Sequence, residues 1–225
     1  MKRSEINRAL RWAEELLDAH GWKLPDMAYW DMAKWKANAD RLDVVRRVML
    51  GWDITDFGQG AFDRLGAVLY TVRNGLVEDP AVGVPYCEKL ILMKAGQRLP
   101  LHYHVYKTED IINRRGGTLA LVLWNCDAAG RRMETPVQVR MDGFLQRAAP
   151  GEPLLVSPGN SVTIPPYLAH IFGPAEGSGD LIVGEVSRVN DDTTDNYFLE
   201  PTARFSEIEE DEAIFRPLCN ELHRI

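Results

Sequence analysis

Apolar residues change their spacing once along this chain. Up to about residue 50 they recur with a helical period. Ile6, Leu10, Ala13 and Leu17 fall on one face of a helix that Ser4 caps and Gly21 ends. A second helical stretch follows Pro25 and carries Met27, Trp30 and Trp35. A third spans roughly 39–50, with Leu42, Val45 and Met49 at helical spacing. From Gly51 onward, short β-branched and aromatic runs alternate with Gly, Pro, Asn and Asp: AVLYTVRNG, CEKLILMKAG, GTLALVLWN, PVQVRMDG, PLLVSPGNSVTI and LIVGEVSRV. Many short strands at near-regular spacing predict an all-β sandwich or barrel. Within one of them Val137, Val139 and Met141 are apolar while Gln138, Arg140 and Asp142 are polar, which predicts a sheet with one buried face. After Asn190 the chain turns polar, then carries Phe198, Phe205 and Phe215 in a tail expected to pack down. The expected organisation is a helical segment, 1–50, packed on a mainly β barrel domain with a C-terminal extension, 51–225.

Composition adds exclusions. The hydrophobic share of 45% and charged share of 26% over 225 residues are ordinary for a soluble globular protein. No stretch approaches the ~18 apolar residues of a membrane-spanning helix. The N-terminus mixes Glu14, Glu15 and Asp18 with Lys2, Arg3, Arg8 and Arg11 and lacks the apolar block of a signal peptide, so a cytoplasmic protein with no membrane partner is expected. A formal charge of −7 argues against nucleic acid, whose phosphates need a basic surface. Cys87, Cys126 and Cys219 are widely spaced and form no CxxC pair. They suggest neither a disulfide framework nor a thiolate zinc site.

The chemistry concentrates in LPLHYHVYKTED. Residues i and i+2 of a strand point to the same face, so His102 and His104 can share one cation. Glu109 follows closely enough to return from a turn, and His170 of TIPPYLAHIF can join from a neighbouring strand. Two histidines satisfied by core hydrogen bonds are the plainer alternative. Against it stands the whole pattern, Gly96-x5-His102-x-His104-x4-Glu109-x6-Gly116, with a second block Gly159-x5-Pro165-x4-His170. Three imidazoles and one carboxylate suit Mn, Fe, Ni, Co or Zn, and four ligands on a six-coordinate ion leave two positions open for chemistry.

The two blocks resemble the two motifs of the cupin superfamily over about residues 85–190. The second departs in part, with Tyr167 and Pro174 where the superfamily often has Gly and Asn. More widely, MKRSEINRAL, HYHVYKTEDIINRRGG, GEVSRVNDDTTDNYF and RFSEIEEDE resemble the D-lyxose isomerase family. That resemblance implies a cupin fold (a double-stranded β-helix, or jelly-roll, barrel). It further implies a cytoplasmic homodimer with one divalent ion per chain, Mn2+ preferred. The implied activity is interconversion of D-lyxose with D-xylulose and of D-mannose with D-fructose. The same ligand set also suits an Fe or Ni dioxygenase, or a sugar-binding cupin without catalysis.

Isomerisation needs a general acid or base beside the metal. Lys107 lies between two ligands, where a neighbouring cation is expected to lower its pKa. Glu185 sits on the strand after the His170 block, and Asp195 lies with Asp191 and Asp192 in a polar loop at the expected barrel mouth. Gln97, Arg98, Tyr103, Tyr106, Trp124 and Tyr167 are expected near a sugar-binding rim. Without a Gly-rich phosphate loop, the substrate is expected to be unphosphorylated. The acidic run Glu207, Glu209, Glu210, Asp211 and Glu212 reads as a solvated face.

Overall fold

Helix α1 (Arg3–Ala19) forms where the apolar stripe predicts it, and Ile6, Leu10, Ala13 and Leu17 are all buried. Its start differs from expectation. Lys2 occupies the cap position, and Ser4 lies within the first turn, bonding through its backbone N–H and its hydroxyl to Asp211. The later helical stretches are shorter than their periodicity suggests. Residues 25–50 form two single-turn helices, α2 (Met32–Lys36) and α3 (Asp43–Arg47), together with short 3-10 turns. The structure is a computed structural model that describes residues 1–192, 194–203 and 206–225; Phe205 lies outside the described residues.

Fourteen strands follow among the described residues: β1 (Gly51–Thr55), β2 (Ala67–Gly75), β3 (Gly83–Met93), β4 (His102–Tyr103), β5 (Glu109–Gly116), β6 (Leu119–Cys126) and β7 (Arg132–Met133), then β8 (Val137–Met141), β9 (Phe144–Ala148), β10 (Pro153–Val156), β11 (Ser161–Ile164), β12 (Leu168–Pro174), β13 (Leu181–Arg188) and β14 (Tyr197–Phe198). They build two antiparallel sheets. One runs β1-β2-β3-β13-β5-β11-β8-β9, and the other β10-β6-β12-β4-β14, with β7 beside β6. The sheets face each other across a core that includes Ile91, Met93, Ile111, Leu121, Leu123, Val139, Val162, Phe172 and Val183. This is the expected mainly β jelly-roll of the cupin type.

The apolar runs in β2, β3 and β13 have a physical reason. Alternate residues of these strands enter two different cores. Ile91, Met93, Leu181 and Val183 point into the barrel, whereas Val68, Tyr70, Leu90, Leu92 and Ile182 meet Ile6, Leu10 and Leu17 of α1 on the outer face. A strand covered on both sides reads as continuously hydrophobic. Each fully buried aliphatic side chain there contributes about 1.5–3 kcal/mol. On β8 no described residue covers the outer face, so Val137 and Val139 are buried while Gln138 and Arg140 are exposed.

The tail closes over the N-terminus. Leu222 and Ile225 pack with Trp35, Leu42, Trp30 and Val45. The acidic run Glu207, Glu209, Glu210, Asp211 and Glu212 is exposed, as the sequence reads, and it also makes specific contacts. Glu210 pairs with Arg3, Glu212 accepts from the Asn7 amide, and Glu209 exchanges backbone hydrogen bonds with Met1 and Arg3. The side chains of α1 supply the donors for Glu210 and Glu212, while unpaired amides of its first turn donate to the Glu209 carbonyl and, from Ser4, to the Asp211 carboxylate.

Candidate metal centre

The four candidate ligands come from both sheets and meet at one end of the barrel. His102 on β4 lies directly opposite His170 on β12, and their rings are 4.1 Å apart between centroids. His104 immediately follows β4. Glu109 opens β5 in the other sheet, where it pairs with Ile164 of β11. One ligand atom from each of the four lies within 4.8 Å of all the others, and all four residues are buried.

Hydrogen bonds fix which nitrogen of each ring faces inward. Nδ1 of His102 bonds the Pro100 carbonyl at 2.9 Å, Nδ1 of His104 the Asp195 carbonyl at 2.6 Å, and Nδ1 of His170 the Leu168 carbonyl at 3.0 Å. A carbonyl only accepts, so in each neutral ring Nδ1 carries the proton and Nε2 presents a lone pair. His170 Nε2 and His104 Nε2 stand 2.9 and 3.4 Å from Glu109 Oε1. Between neutral rings and a carboxylate these short approaches set lone pair against lone pair, so none is a hydrogen bond. His104 Nε2, His170 Nε2 and Glu109 Oε1 are accordingly buried without a hydrogen-bond partner. Converging acceptors with nothing to accept from are what a cation resolves.

The electrostatics agree. Burial, with the neighbouring imidazoles His170 and His104, holds His102 well below the usual histidine range, in its neutral ligand form. Burial alone would raise the Glu109 carboxyl, but the Lys107 ammonium outweighs it and keeps Glu109 ionised. The motif glycines serve the backbone. Gly116 has φ +94°, and a side chain there would run into the Asp180 carbonyl. Tyr167, which stands where cupins often have glycine, still takes the left-handed conformation at φ 60°. Its N–H donates to the His104 carbonyl at 2.8 Å, so this strained turn ties the second block to the first.

A cavity of about 540 Å3, its mouth included, opens beside the cluster. One wall is apolar, with Phe57, Ile91, Leu99, Phe172 and Phe198. The opposite wall carries Glu109, Lys107, Glu185, Lys89, Asp192 and Asn196. Lys107 Nζ lies 3.1 Å from each of Glu109 Oε2, Glu185 Oε1 and Asn190 Oδ1. Burial disfavours its charge, but Glu109, Glu185 and Asp192 outweigh that and raise its pKa. Glu185, raised by burial but pulled down more strongly by Lys107 and Lys89, stays a carboxylate below its ordinary value.

Asp195 sits differently from the sequence expectation. Its carboxylate is engaged by three backbone amides, of Val105 at 2.8 Å, Tyr106 at 3.0 Å and Lys107 at 2.7 Å, and it is not part of the cavity lining. The expected rim also differs. Gln97, Arg98, Tyr103, Tyr106, Trp124 and Tyr167 are absent from that lining. Tyr103 has the opposite parity to His102 and stacks outside with Tyr167 and Tyr197. Lys89 was missed, although a signal for it exists. It shares the inward parity of Ile91 and Met93, so a charge there had to face the barrel interior.

Comparison with known proteins agrees with this architecture. Residues 1–222 match the family model described as D-lyxose isomerase. A D-lyxose/D-mannose isomerase of Escherichia coli O157:H7 is 40% identical over 222 residues, covering 98% of each chain. One of Serratia proteamaculans is 41% identical over 226 residues, covering 100% of this chain and 99% of its own. Among solved structures, an L-ribose isomerase of Acinetobacter sp. DL28 in complex with L-ribose superposes with a TM-score of 0.61 at 16% identity. It covers 93% of this chain and 98% of its own. The L-ribose isomerase of Cellulomonas parahominis gives 0.58 at 17% with the same coverage. At such identities the structural likeness speaks for the fold.

Proposed function

The chain belongs to the D-lyxose isomerase family and is an aldose–ketose isomerase, and from that premise we propose that it interconverts D-lyxose with D-xylulose, and D-mannose with D-fructose. The dioxygenase and the non-catalytic reading, which the ligand set alone left open, give way to that membership. His102, His104, Glu109 and His170 hold one divalent ion per chain, with Mn2+ as the preferred metal. The observation that carries this reading is the set of buried, partnerless acceptors at His104 Nε2, His170 Nε2 and Glu109 Oε1. When bound, such an ion supplies Lewis-acid stabilisation of the negative charge that develops on the sugar oxygens.

The remaining chemistry belongs to side chains of the polar wall. Aldose–ketose isomerisation moves one proton from C2 to C1 and another from O2 to O1. Glu185, an ionised carboxylate in the cavity, takes the C2 proton to give an enediol and returns it to C1. Lys107, held as an ammonium by Glu109 and Glu185, gives a proton to O1 and recovers one from O2. Asp195 is assigned as a positioning residue. Its carboxylate shapes the 105–107 turn, and its carbonyl fixes the His104 tautomer. The apolar wall excludes water from the enediol.

The polar wall alternates in sign, with Glu185 and Asp192 between and beside the lysines. A phosphate group would be placed against carboxylates there, so the substrate is an unphosphorylated sugar. The same reading makes the protein a cytoplasmic homodimer, which sedimentation of the purified chain checks. Mn2+-loaded protein is expected to form ketopentose from D-lyxose, to stop with chelator, and to consume no oxygen. In D2O, solvent deuterium at C1 of the product supports the enediol. Absence of ketopentose, with brisk conversion of a different aldose, would reject the substrate while leaving the class intact.

A further inference from the structure

The polar wall holds two lysines in different circumstances. Lys107 spends its ammonium on three oxygens at 3.1 Å. Lys89, only 5% exposed, has Glu185 Oε1 at 3.7 Å and Asp192 Oδ1 at 3.8 Å, both beyond hydrogen-bond length. Among the described residues its ammonium makes no hydrogen bond. An ammonium that lines a cavity and makes no hydrogen bond there has its donors available to a ligand that accepts. Lys89 lines the cavity, on β3, opposite Glu185 on β13. Glu185 already has a close counter-ion in Lys107, so neutralising that carboxylate does not by itself account for the second lysine.

We infer that Lys89 is a substrate-binding residue that donates hydrogen bonds to sugar hydroxyls on the carbons remote from the reacting pair. Its position in the wall gives the direction. Glu109 at the metal cluster contacts Lys107, Lys107 contacts Glu185, and Lys89 stands beyond Glu185. A sugar whose C1 and C2 lie between the cluster and Glu185 therefore extends its distal hydroxyls toward Lys89 and Asp192. Within this pair Lys89 only donates and the Asp192 carboxylate only accepts, a combination that suits a hydroxyl, which does both. Lys89 then contributes to which aldose is held, through configuration at C3 and C4, while the proton transfers stay with other groups. This inference rests on the isomerase reading above.

The test uses the metal-loaded full chain with D-arabinitol, the polyol obtained by reducing D-lyxose, which cannot isomerise. Lys89→Met keeps the length of the side chain and removes its donors. Calorimetric affinity for D-arabinitol is expected to fall about ten- to a hundredfold, the usual effect of one charge-assisted hydrogen bond. Bound metal should stay as in the parent protein. For D-lyxose the loss should appear in KM with kcat within about threefold, and Lys89→Gln should recover part of the affinity. Unchanged polyol affinity in Lys89→Met, while the parent protein turns D-lyxose over, would overturn the role of Lys89 alone. So would a loss that follows metal content and Tm and is not relieved by Lys89→Gln, since that marks a structural ion pair. A parent protein that neither converts D-lyxose nor binds the polyol overturns the isomerase reading and this inference together.

Discussion

Two groups of polar side chains are buried in this chain, and they differ in whether their atoms are used. At the junction of the N-terminus and the tail, Arg3 is fully buried. Its Nε and Nη2 donate to Glu210, both at 2.8 Å, and its Nη1 and Nη2 reach Glu221. Glu221 in turn accepts the Leu218 amide at 3.0 Å. At the end of the barrel, His104 Nε2, His170 Nε2 and Glu109 Oε1 are equally buried and have no donor. Both clusters join residues far apart in sequence. The first is complete without a ligand and acts as a clasp. The second leaves three acceptors open, the arrangement that could hold a cation. Burial of charge alone is thus a poor guide to function, and the state of satisfaction separates the two.

The largest expected effect breaks the second cluster. Replacing Glu109 by Gln, or His170 by Ala, should remove bound metal and cost about a thousandfold or more in kcat/KM. The metal-free variant should keep its circular dichroism, because the barrel core does not depend on the ligand atoms. Glu185→Gln should lower kcat by about a hundred- to a thousandfold with metal content unchanged, which separates the proton-transfer wall from the ligand set.

The clasp should respond in the opposite way. Arg3→Ala strands Glu221 without its partner and should destabilise the fold by about 3–5 kcal/mol, seen in urea unfolding, while folded protein keeps its metal and kcat. Glu210 sharpens the contrast at the small end. It is half exposed, so Glu210→Gln should cost at most about 1 kcal/mol. The hydrogen bond from Arg3 holds its carboxyl below the ordinary value. That contribution is therefore present above the ordinary carboxylate range and fades as pH falls through the lowered one. The difference between parent and Glu210→Gln should shrink on acidification.

The sequence was legible where period and chemistry coincide. The α1 stripe and β2, β3, β8 and β13 follow from spacing, and the four-residue cluster follows from HxH parity joined to a later Glu and His. Less was legible where charge interrupts a strand. EDIINRRG carries four charged residues yet forms β5, because its Glu109 and Ile111 face the barrel. FLQRA forms β9 at the edge of its sheet, where one face stays exposed and apolar alternation is weak. Asp195 was found for the wrong reason. The polar loop did point to the site, but only the three-dimensional path shows its carboxylate turned to the amides of 105–107. Ser4 was a plausible cap by type, yet the tail supplies Asp211 to it and moves the helix start.

The most direct test of the central claim is a metal count on chelator-stripped and Mn2+-reloaded protein, coupled to D-lyxose turnover in the same samples. The account predicts one ion per chain after reloading, none in a His102→Ala His104→Ala variant, and turnover that follows the ion. Full D-lyxose isomerisation by stripped protein, or by the double variant without metal, would contradict it.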